Sequence, residues 1–229
     1  NKKPISYNSN RCISSPYVEI GYMYLKFDRL VNKLKENNLE FSKVISSLIK
    51  EGQVNAILNN DVYYSISDPQ RLLATERYLK SKKIILLDRD GVINEKAPEW
   101  DYVKNLKEFK WIEKSKKSLV KLAKNGYEFI IITNQAGIAR KKILRKDLQE
   151  IHDYISNQLK DLGVNIIGVY VCPHNWHDKC FCRKPEPGLL LQASKENFFR
   201  LDKTFFVGDK PSDIEAAKRA GSKGLLFNK

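Results

Sequence analysis

The chain has 229 residues, 42% of them hydrophobic and 30% charged, which is enough for one large domain or two small ones with a core that needs no disulfide. Its 41 Lys and Arg against 27 Asp and Glu leave a formal charge of +14. That excludes an acidic solvating tail and points to an anionic partner: nucleic acid, a membrane surface or a phosphorylated small molecule. No run of about 18 apolar residues is present, so no transmembrane helix is expected. Asn1 to Ser6 lack the apolar stretch of a secretory leader.

The chain opens on Asn1 and Met23 is its sole methionine, so its start is expected to lie inside a longer gene product. Tyr17 to Tyr24 reads as strand-like, and Phe27 to Leu34 and Phe41 to Lys50 read as helical. Asp61 to Ile66 reads as extended, and Pro69 suits the first position of a helix running to about Leu79. The polar stretch Lys80 to Lys83 then marks a boundary between residues 1–80, with net charge +4, and residues 81–229, with +10.

Beyond that boundary, short unbroken apolar runs alternate with amphipathic helices. Ile84 to Leu87, Phe129 to Ile132, Ile166 to Val171 and Thr204 to Val207 have the character of strands covered on both faces. A helix over about Lys114 to Lys124 turns Leu119, Val120, Leu122 and Ala123 inward. A second carries Leu148, Ile151, Ile155, Leu159 and Leu162 at three- and four-residue steps. The alternation predicts an α/β domain built on a Rossmann-like parallel sheet with flanking helices, behind a shorter α/β piece.

Three strands end in polar clusters: Asp88-Arg89-Asp90-Gly91-Val92-Ile93-Asn94, Thr133-Asn134-Gln135, and Gly208-Asp209-Lys210-Pro211-Ser212-Asp213. Ligands of parallel sheets bind at the carboxyl ends of strands, so these clusters should converge. Asp88 and Asp90 are two apart in an extended segment and should face one pocket. Together with Asp209 they form the oxygen-rich set that Mg²⁺ prefers. Thr133, Asn134, Arg183, Lys184 and Lys210 are donors or cations suited to phosphate and hydroxyl groups, and Arg89, Asn94 and Gln135 lie in the same clusters as further candidate substrate contacts. One Asp can attack phosphorus while the other handles protons. Ser212-x-x-Glu215 reads as a helix-capping box, in which Asp213 would support the helix start.

Asp88-x-Asp90-Gly91-Val92, the strand-end Thr133-Asn134-Gln135, Lys184 and Gly208-Asp209-x-x-x-Asp213 resemble the four motifs of the haloacid-dehalogenase superfamily of phosphatases, across residues 84–227. The resemblance implies Mg²⁺ dependence and an aspartyl-phosphate intermediate, with Asp88 as nucleophile and Asp90 as general acid and then base. It implies Asp88, Asp209 and the Asp90 carbonyl as Mg²⁺ ligands, and Thr133 and Lys184 as phosphoryl ligands.

Cys172, His174, Cys180 and Cys182 are four candidate ligands within eleven residues, a set suited to a closed, structural Zn²⁺ site. His177 could stand in for His174. Clustered cysteines fit a reducing cytoplasm better than a secreted disulfide framework. This loop, leading into Arg183-Lys184-Pro185-x-Pro187-Gly188, resembles the D-glycero-D-manno-heptose 1,7-bisphosphate phosphatases and the related histidinol-phosphate phosphatases. The heptose group is also matched by Asn134-Gln135-Ala136-Gly137-Ile138-Ala139-Arg140. The match implies a phosphorylated sugar as partner, with Arg183 contacting its distal part, and no membrane or nucleic acid.

Within residues 1–80, Glu19 to Met23, Leu48 to Gly52 and Tyr63 to Pro69 resemble the end of a sugar-phosphate nucleotidyltransferase domain. Ser65 stands where that family's pattern has a metal-binding Asp. A polynucleotide 3′-phosphatase and a zinc-bearing nucleic-acid-binding module are the alternatives that the basic charge keeps open.

Overall fold

A computed structural model describes residues 40–57, 64–80, 82–99 and 101–227, with isolated positions between 23 and 33. The chain divides into two compact units, 1–60 and 61–229. In the first, helix α1 (Phe41–Lys50) buries Val44, Ile45, Leu48 and Ile49 on one face, with Leu30 and Val54 packed against them. The described positions of the helix expected over Phe27 to Leu34 are helical. The strand expected at Tyr17 to Tyr24 lies outside the described residues except for Met23, and Asp61 to Ile66 is described only from Tyr64.

The second unit begins before the boundary that composition suggested at residue 80. Helix α2 (Pro69–Leu79) belongs to it, started by Pro69 and capped by Asp68, whose Oδ1 accepts from Arg71 N at 2.8 Å. The Tyr78 ring stacks on Tyr64 at 4.1 Å, and Asp202 and Arg200 act on its hydroxyl electrostatically. A change in surface charge does not report such packing, so the compositional break at residue 80 and the packing break at residue 60 need not coincide.

Five parallel strands follow: β1 (Ile84–Leu87), β2 (Glu128–Asn134), β3 (Ile166–Cys172), β4 (Phe205–Gly208) and β5 (Lys223–Leu226). Their order is β3-β2-β1-β4-β5. Alternating side chains feed two cores, because helices cover both faces. On one face Ile84, Leu86, Ile130, Ile132 and Phe206 meet α5 (Gly188–Asn197) and α6 (Pro211–Arg219) through Leu189, Leu190, Ala193, Ala216 and Ala217. On the other, Ile85, Leu87, Phe129 and Ile131 meet α3 (Glu113–Ala123) and α4 (Arg145–Lys160) through Leu119, Ile151, Ile155 and Leu159.

Two expectations need correction. Leu162 is not on the buried face of α4. The helix ends at Lys160, the chain turns through Gly163 at φ +76°, Leu162 is 44% exposed, and Val164 fills the core instead. β5 is an edge strand that the sequence pattern did not reveal, since Lys223, Leu225 and Leu226 are exposed. Among the described residues no helix is long and apolar enough to cross a membrane. From β1 the chain builds outward to β2 and β3 on one side, then returns to build β4 and β5 on the other. The carboxyl ends of β1 and β4 therefore flank the topological switch point where ligands of such sheets bind.

Candidate active site

Asp88 follows β1 directly, and its backbone N–H donates to Val207 O at 2.9 Å, which ties the end of β1 to β4. Its Oδ1 accepts from Lys184 Nζ at 2.9 Å and from Arg89 N at 2.8 Å; Oδ2 is left without a protein partner among the described residues. Lys184 is buried, and Nζ also reaches Asp213 Oδ1 at 2.8 Å and Ile132 O at 3.0 Å. Burial pushes the Asp88 carboxyl up to about 6, with Lys184 pulling against it and Asp213 and Asp90 adding to the rise. Burial alone would discharge Lys184, but Asp88 and Asp213 outweigh it and hold its pKa above the usual lysine value.

Asp213 is committed through both oxygens. Its Oδ2 accepts from Asp209 N at 3.1 Å and Lys210 N at 3.0 Å, closing the start of α6. The capping box expected at Ser212 and Glu215 is therefore not what starts this helix. Lys210 is its cap and Pro211 begins it, two residues earlier than that box would, and Glu215 accepts from Arg219 Nε at 2.8 Å. A Cβ on Gly208 would lie 2.2 Å from Asp213 Cβ, so the strand end and the helix start meet only because that residue is glycine.

The carboxylates of Asp88, Asp209 and Asp213 each offer an oxygen within 4.8 Å of the others. Asp209 Oδ1 is buried without a partner, while Oδ2 contacts Lys96 Nζ. An orphaned buried carboxylate oxygen beside Asp88 fits a divalent cation held by Asp88 and Asp209. Gly91 keeps that space open. It turns the chain at φ +93°, and a Cβ there would sit 2.1 Å from Asp209 Oδ2.

Asp90 also lines the pocket, as the two-residue spacing predicts, but three expected substrate contacts are turned to it instead. Arg89 is fully buried and places Nε at 3.1 Å and Nη2 at 2.9 Å from Asp90 Oδ1, with Nη2 at 2.8 Å from Oδ2. Asn94 Nδ2 donates to Asp90 Oδ1 at 2.9 Å, and Gln135 Nε2 donates to Oδ2 at 2.8 Å; both residues are fully buried. The tight turn Gly91 to Ile93, with Ile93 N on Arg89 O at 2.8 Å, brings Arg89 and Asn94 onto Asp90, and Gln135 reaches it from the end of β2, its own N–H donating to Cys172 O at 2.8 Å. Burial favours a protonated Asp90, yet the Arg89 charge and the bonds from Asn94, Gln135 and Arg89 outweigh it and keep its pKa below the ordinary carboxylate value.

Thr133 lines the same pocket, and its Oγ1 accepts from Gln135 Nε2 at 2.9 Å. Asn134 lines it as well, but its amide pairs reciprocally with the Lys184 backbone: Nδ2 to Lys184 O and Lys184 N to Oδ1, both at 3.1 Å. It thereby holds Lys184 in register with the end of β2. Arg183 and Lys210 line the cavity, whose volume is about 660 Å³. So do Lys96, Tyr102 and Trp176, which sequence reasoning missed. Only Trp176 carried a signal, as an aromatic residue inside the Cys/His loop. Arg140 joins two of these walls, stacking at 4.7 Å on Trp176 and donating from Nη1 to the Tyr102 hydroxyl at 3.2 Å.

Cys172, His174, Cys180 and Cys182 gather their ligand atoms within 4.8 Å. The Cys180 sulfur is 3.7 Å from that of Cys172 and 3.5 Å from that of Cys182, and His174 Nδ1 is 3.1 Å from Cys182 Sγ. A tetrahedron with metal–sulfur bonds of about 2.3 Å has edges of about 3.8 Å. The described cluster contains His174 and not His177.

Comparison with known proteins places these geometries in context. A family model described as polynucleotide kinase 3 phosphatase matches residues 83–223. A D-glycero-alpha-D-manno-heptose-1,7-bisphosphate 7-phosphatase of Photorhabdus laumondii is 42% identical over 146 residues, covering 61% of this chain and 78% of the relative. A D-glycero-beta-D-manno-heptose-1,7-bisphosphate 7-phosphatase of Helicobacter pylori is 40% identical over 151 residues, covering 65% and 85%. Among solved structures, a D,D-heptose 1,7-bisphosphate phosphatase of B. bronchiseptica complexed with magnesium and phosphate is similar at TM-score 0.60 and 33% identity, over 63% of this chain and 79% of the other. A HAD-like phosphatase of Mesorhizobium loti is similar at TM-score 0.58 and 29% identity, over 63% and 72%.

Proposed function

The chain belongs to the haloacid-dehalogenase-type phosphatases described as polynucleotide kinase 3 phosphatase, and we propose that it hydrolyses the C7 phosphate of D-glycero-D-manno-heptose 1,7-bisphosphate. The observation that carries the reaction is Asp88, one oxygen engaged by Lys184 at 2.9 Å and the other open, beside Asp209 at the switch point. The substrate reading is supported by relatives of 35–42% identity named for this reaction. It is also supported by a cavity of about 660 Å³, which leaves room beyond a phosphate for a sugar.

Asp88 Oδ2 attacks phosphorus, the bond from phosphorus to the C7 oxygen breaks, and Asp90 delivers its proton to that oxygen. A dianionic phosphate arriving beside Asp90 raises the proton affinity that Arg89 otherwise suppresses. In the second half, Asp90 takes a proton from water as the water oxygen attacks phosphorus. The Asp88–phosphorus bond breaks, returning the carboxylate and releasing inorganic phosphate. Lys184 balances the charge on the transferring group, and Thr133, Arg183 and Lys210 supply donors around it. Asp88, Asp209 and the Asp90 carbonyl would hold Mg²⁺, whose charge stabilises the phosphoryl oxygens. Cys172, His174, Cys180 and Cys182 would hold a structural Zn²⁺ that shapes the loop carrying Trp176 and leading to Arg183.

The same reading assigns residues 81–229 to the phosphatase and residues 1–80 to the end of a sugar-phosphate nucleotidyltransferase domain. It places the reaction in the cytoplasm, in nucleotide-activated heptose synthesis for surface glycans. The test is kcat/KM with Mg²⁺ on three substrates: the heptose bisphosphate, histidinol phosphate and a 3′-phosphorylated oligonucleotide. The proposal expects the first to lead. A lead by either of the others would reassign the substrate while leaving the chemistry intact.

A further inference from the structure

We propose that His152 is a positioning residue for acid–base catalysis, holding the buried Arg89 guanidinium that in turn fixes the Asp90 carboxylate. This rests on the reading of Asp90 as the group that protonates the leaving oxygen. The geometry divides the guanidinium between two partners. Nε and Nη2 form a fork on Asp90, while Nη1 faces His152 Nε2 at 3.5 Å. Among the described residues, Asp90 and His152 are the only side chains with polar contacts to the Arg89 guanidinium, and Arg89 is fully buried, so no water can replace either. Without His152, a buried N–H of a charged group loses its acceptor, and the guanidinium has no reason to stay in the plane that serves Asp90.

His152 is suited to the task by its place in the fold. It is 3% exposed and sits on α4 next to Ile151, on the face that packs Ile151, Ile155 and Leu159 into the sheet. The ring is therefore fixed by a helix that contributes no residue to the pocket lining. For Nε2 to accept from Arg89, the ring proton must reside on Nδ1 and the imidazole must be neutral. Burial and the neighbouring Arg89 charge lower its pKa to about 4, against Asp90 and Asp153, so the neutral form holds at neutral pH.

The consequence is selective. A displaced Asp90 impairs proton delivery to a poor leaving group, an alkoxide, in the first step, where a leaving group that departs without a proton is almost untouched; its loss as the base for water slows the second step for every substrate alike. The experiment therefore reads the first turnover, as leaving-group release with enzyme in excess, for the heptose bisphosphate and p-nitrophenyl phosphate, using the full chain with Mg²⁺. In His152→Leu, the saturating first-turnover rate on the sugar phosphate is expected to fall about tenfold, a fraction of the full acid–base contribution. The substrate concentration at half-saturation should stay unchanged, and the first-turnover rate on the aryl phosphate should change less than about twofold. His152→Gln, which restores an acceptor, should recover most of the loss, and Arg89→Lys, which cannot form the fork, should reproduce the selective defect if His152→Leu does not fold. Equal losses on both substrates, no loss on either, or no recovery in folded His152→Gln would overturn the proposal. Failure of the underlying reading looks different: Asp90→Asn would then lack the selective loss on the sugar phosphate.

Discussion

Lys184 sits between two carboxylates at 2.8 and 2.9 Å with 2% of its side chain exposed, and this arrangement carries both stability and chemistry. Removing it strands Asp88 and Asp213 in a dry site, so Lys184→Met is expected to cost about 3 kcal/mol or more of folding stability, measured by urea denaturation, and to abolish phosphate release. His152 makes a second, signed prediction. Its folded-state pKa of about 4 lies below the ordinary 6.5, so the unfolded chain binds more protons between those values. Folding stability is therefore expected to fall as pH drops from about 6.5 to about 4, by up to about 3 kcal/mol from this group. Asp88 acts in the opposite sense. Its folded pKa of about 6 exceeds the ordinary 3.8, so its burial penalises folding above about pH 6, and that penalty fades on acidification through the same window. Denaturation at pH 7 and pH 4.5 without Mg²⁺ separates the two, because His152→Leu should lose the destabilisation on acidification and keep the Asp88 trend. At this scale the sequence made Asp88, Asp90 and Asp209 legible, since strand ends and a period of two need only local geometry. It did not show that Arg89, Asn94 and Gln135 serve Asp90 rather than substrate. For Arg89 and Asn94 that direction is set by the turn at Gly91 to Ile93, for Gln135 by its place just past β2, and all three side chains are buried, which are tertiary facts.

Two connecting segments decide whether those residues meet. The Gly91 turn at φ +93° allows Asp209 to approach where a Cβ would clash, so Gly91→Ala is expected to lose about 1–2 kcal/mol from backbone strain and to weaken Mg²⁺ binding. Calorimetric titration with Mg²⁺ and a thermal melt check the two effects separately. The segment from Cys172 to Cys182 is expected to bind one Zn²⁺, and its three thiols should become reactive toward a thiol reagent only after a strong chelator is added. Equal reactivity with and without chelator would show that no metal holds the loop. Elements with unbroken apolar runs, such as Ile84 to Leu87, were readable because helices cover the sheet on both faces. β5 was not, because an exposed edge strand of four residues has no such pattern. Leu162 misled for a related reason: a helical period continues in sequence past the point where Gly163 ends the helix in space.

Taken whole, the molecule concentrates its chemistry. Every described residue lining the large cavity lies between Asp88 and Asp213, and α2 belongs to the same unit as the sheet. A chain of residues 61–229 is therefore expected to fold and to retain the phosphatase activity of the full chain. The charge of +14 acquires a specific meaning here. Lys184 and Arg183 have assigned places at the pocket and Lys210 lines it, while the remaining basic surface steers an anionic substrate toward the site in a salt-dependent way. The claim that Asp88 is the nucleophile is tested most directly by phosphate release from the heptose bisphosphate, measured with Mg²⁺ for the wild type and Asp88→Asn. Loss of release in the variant, with its fold and Lys184 contact retained, is the expected result; equal rates would contradict it.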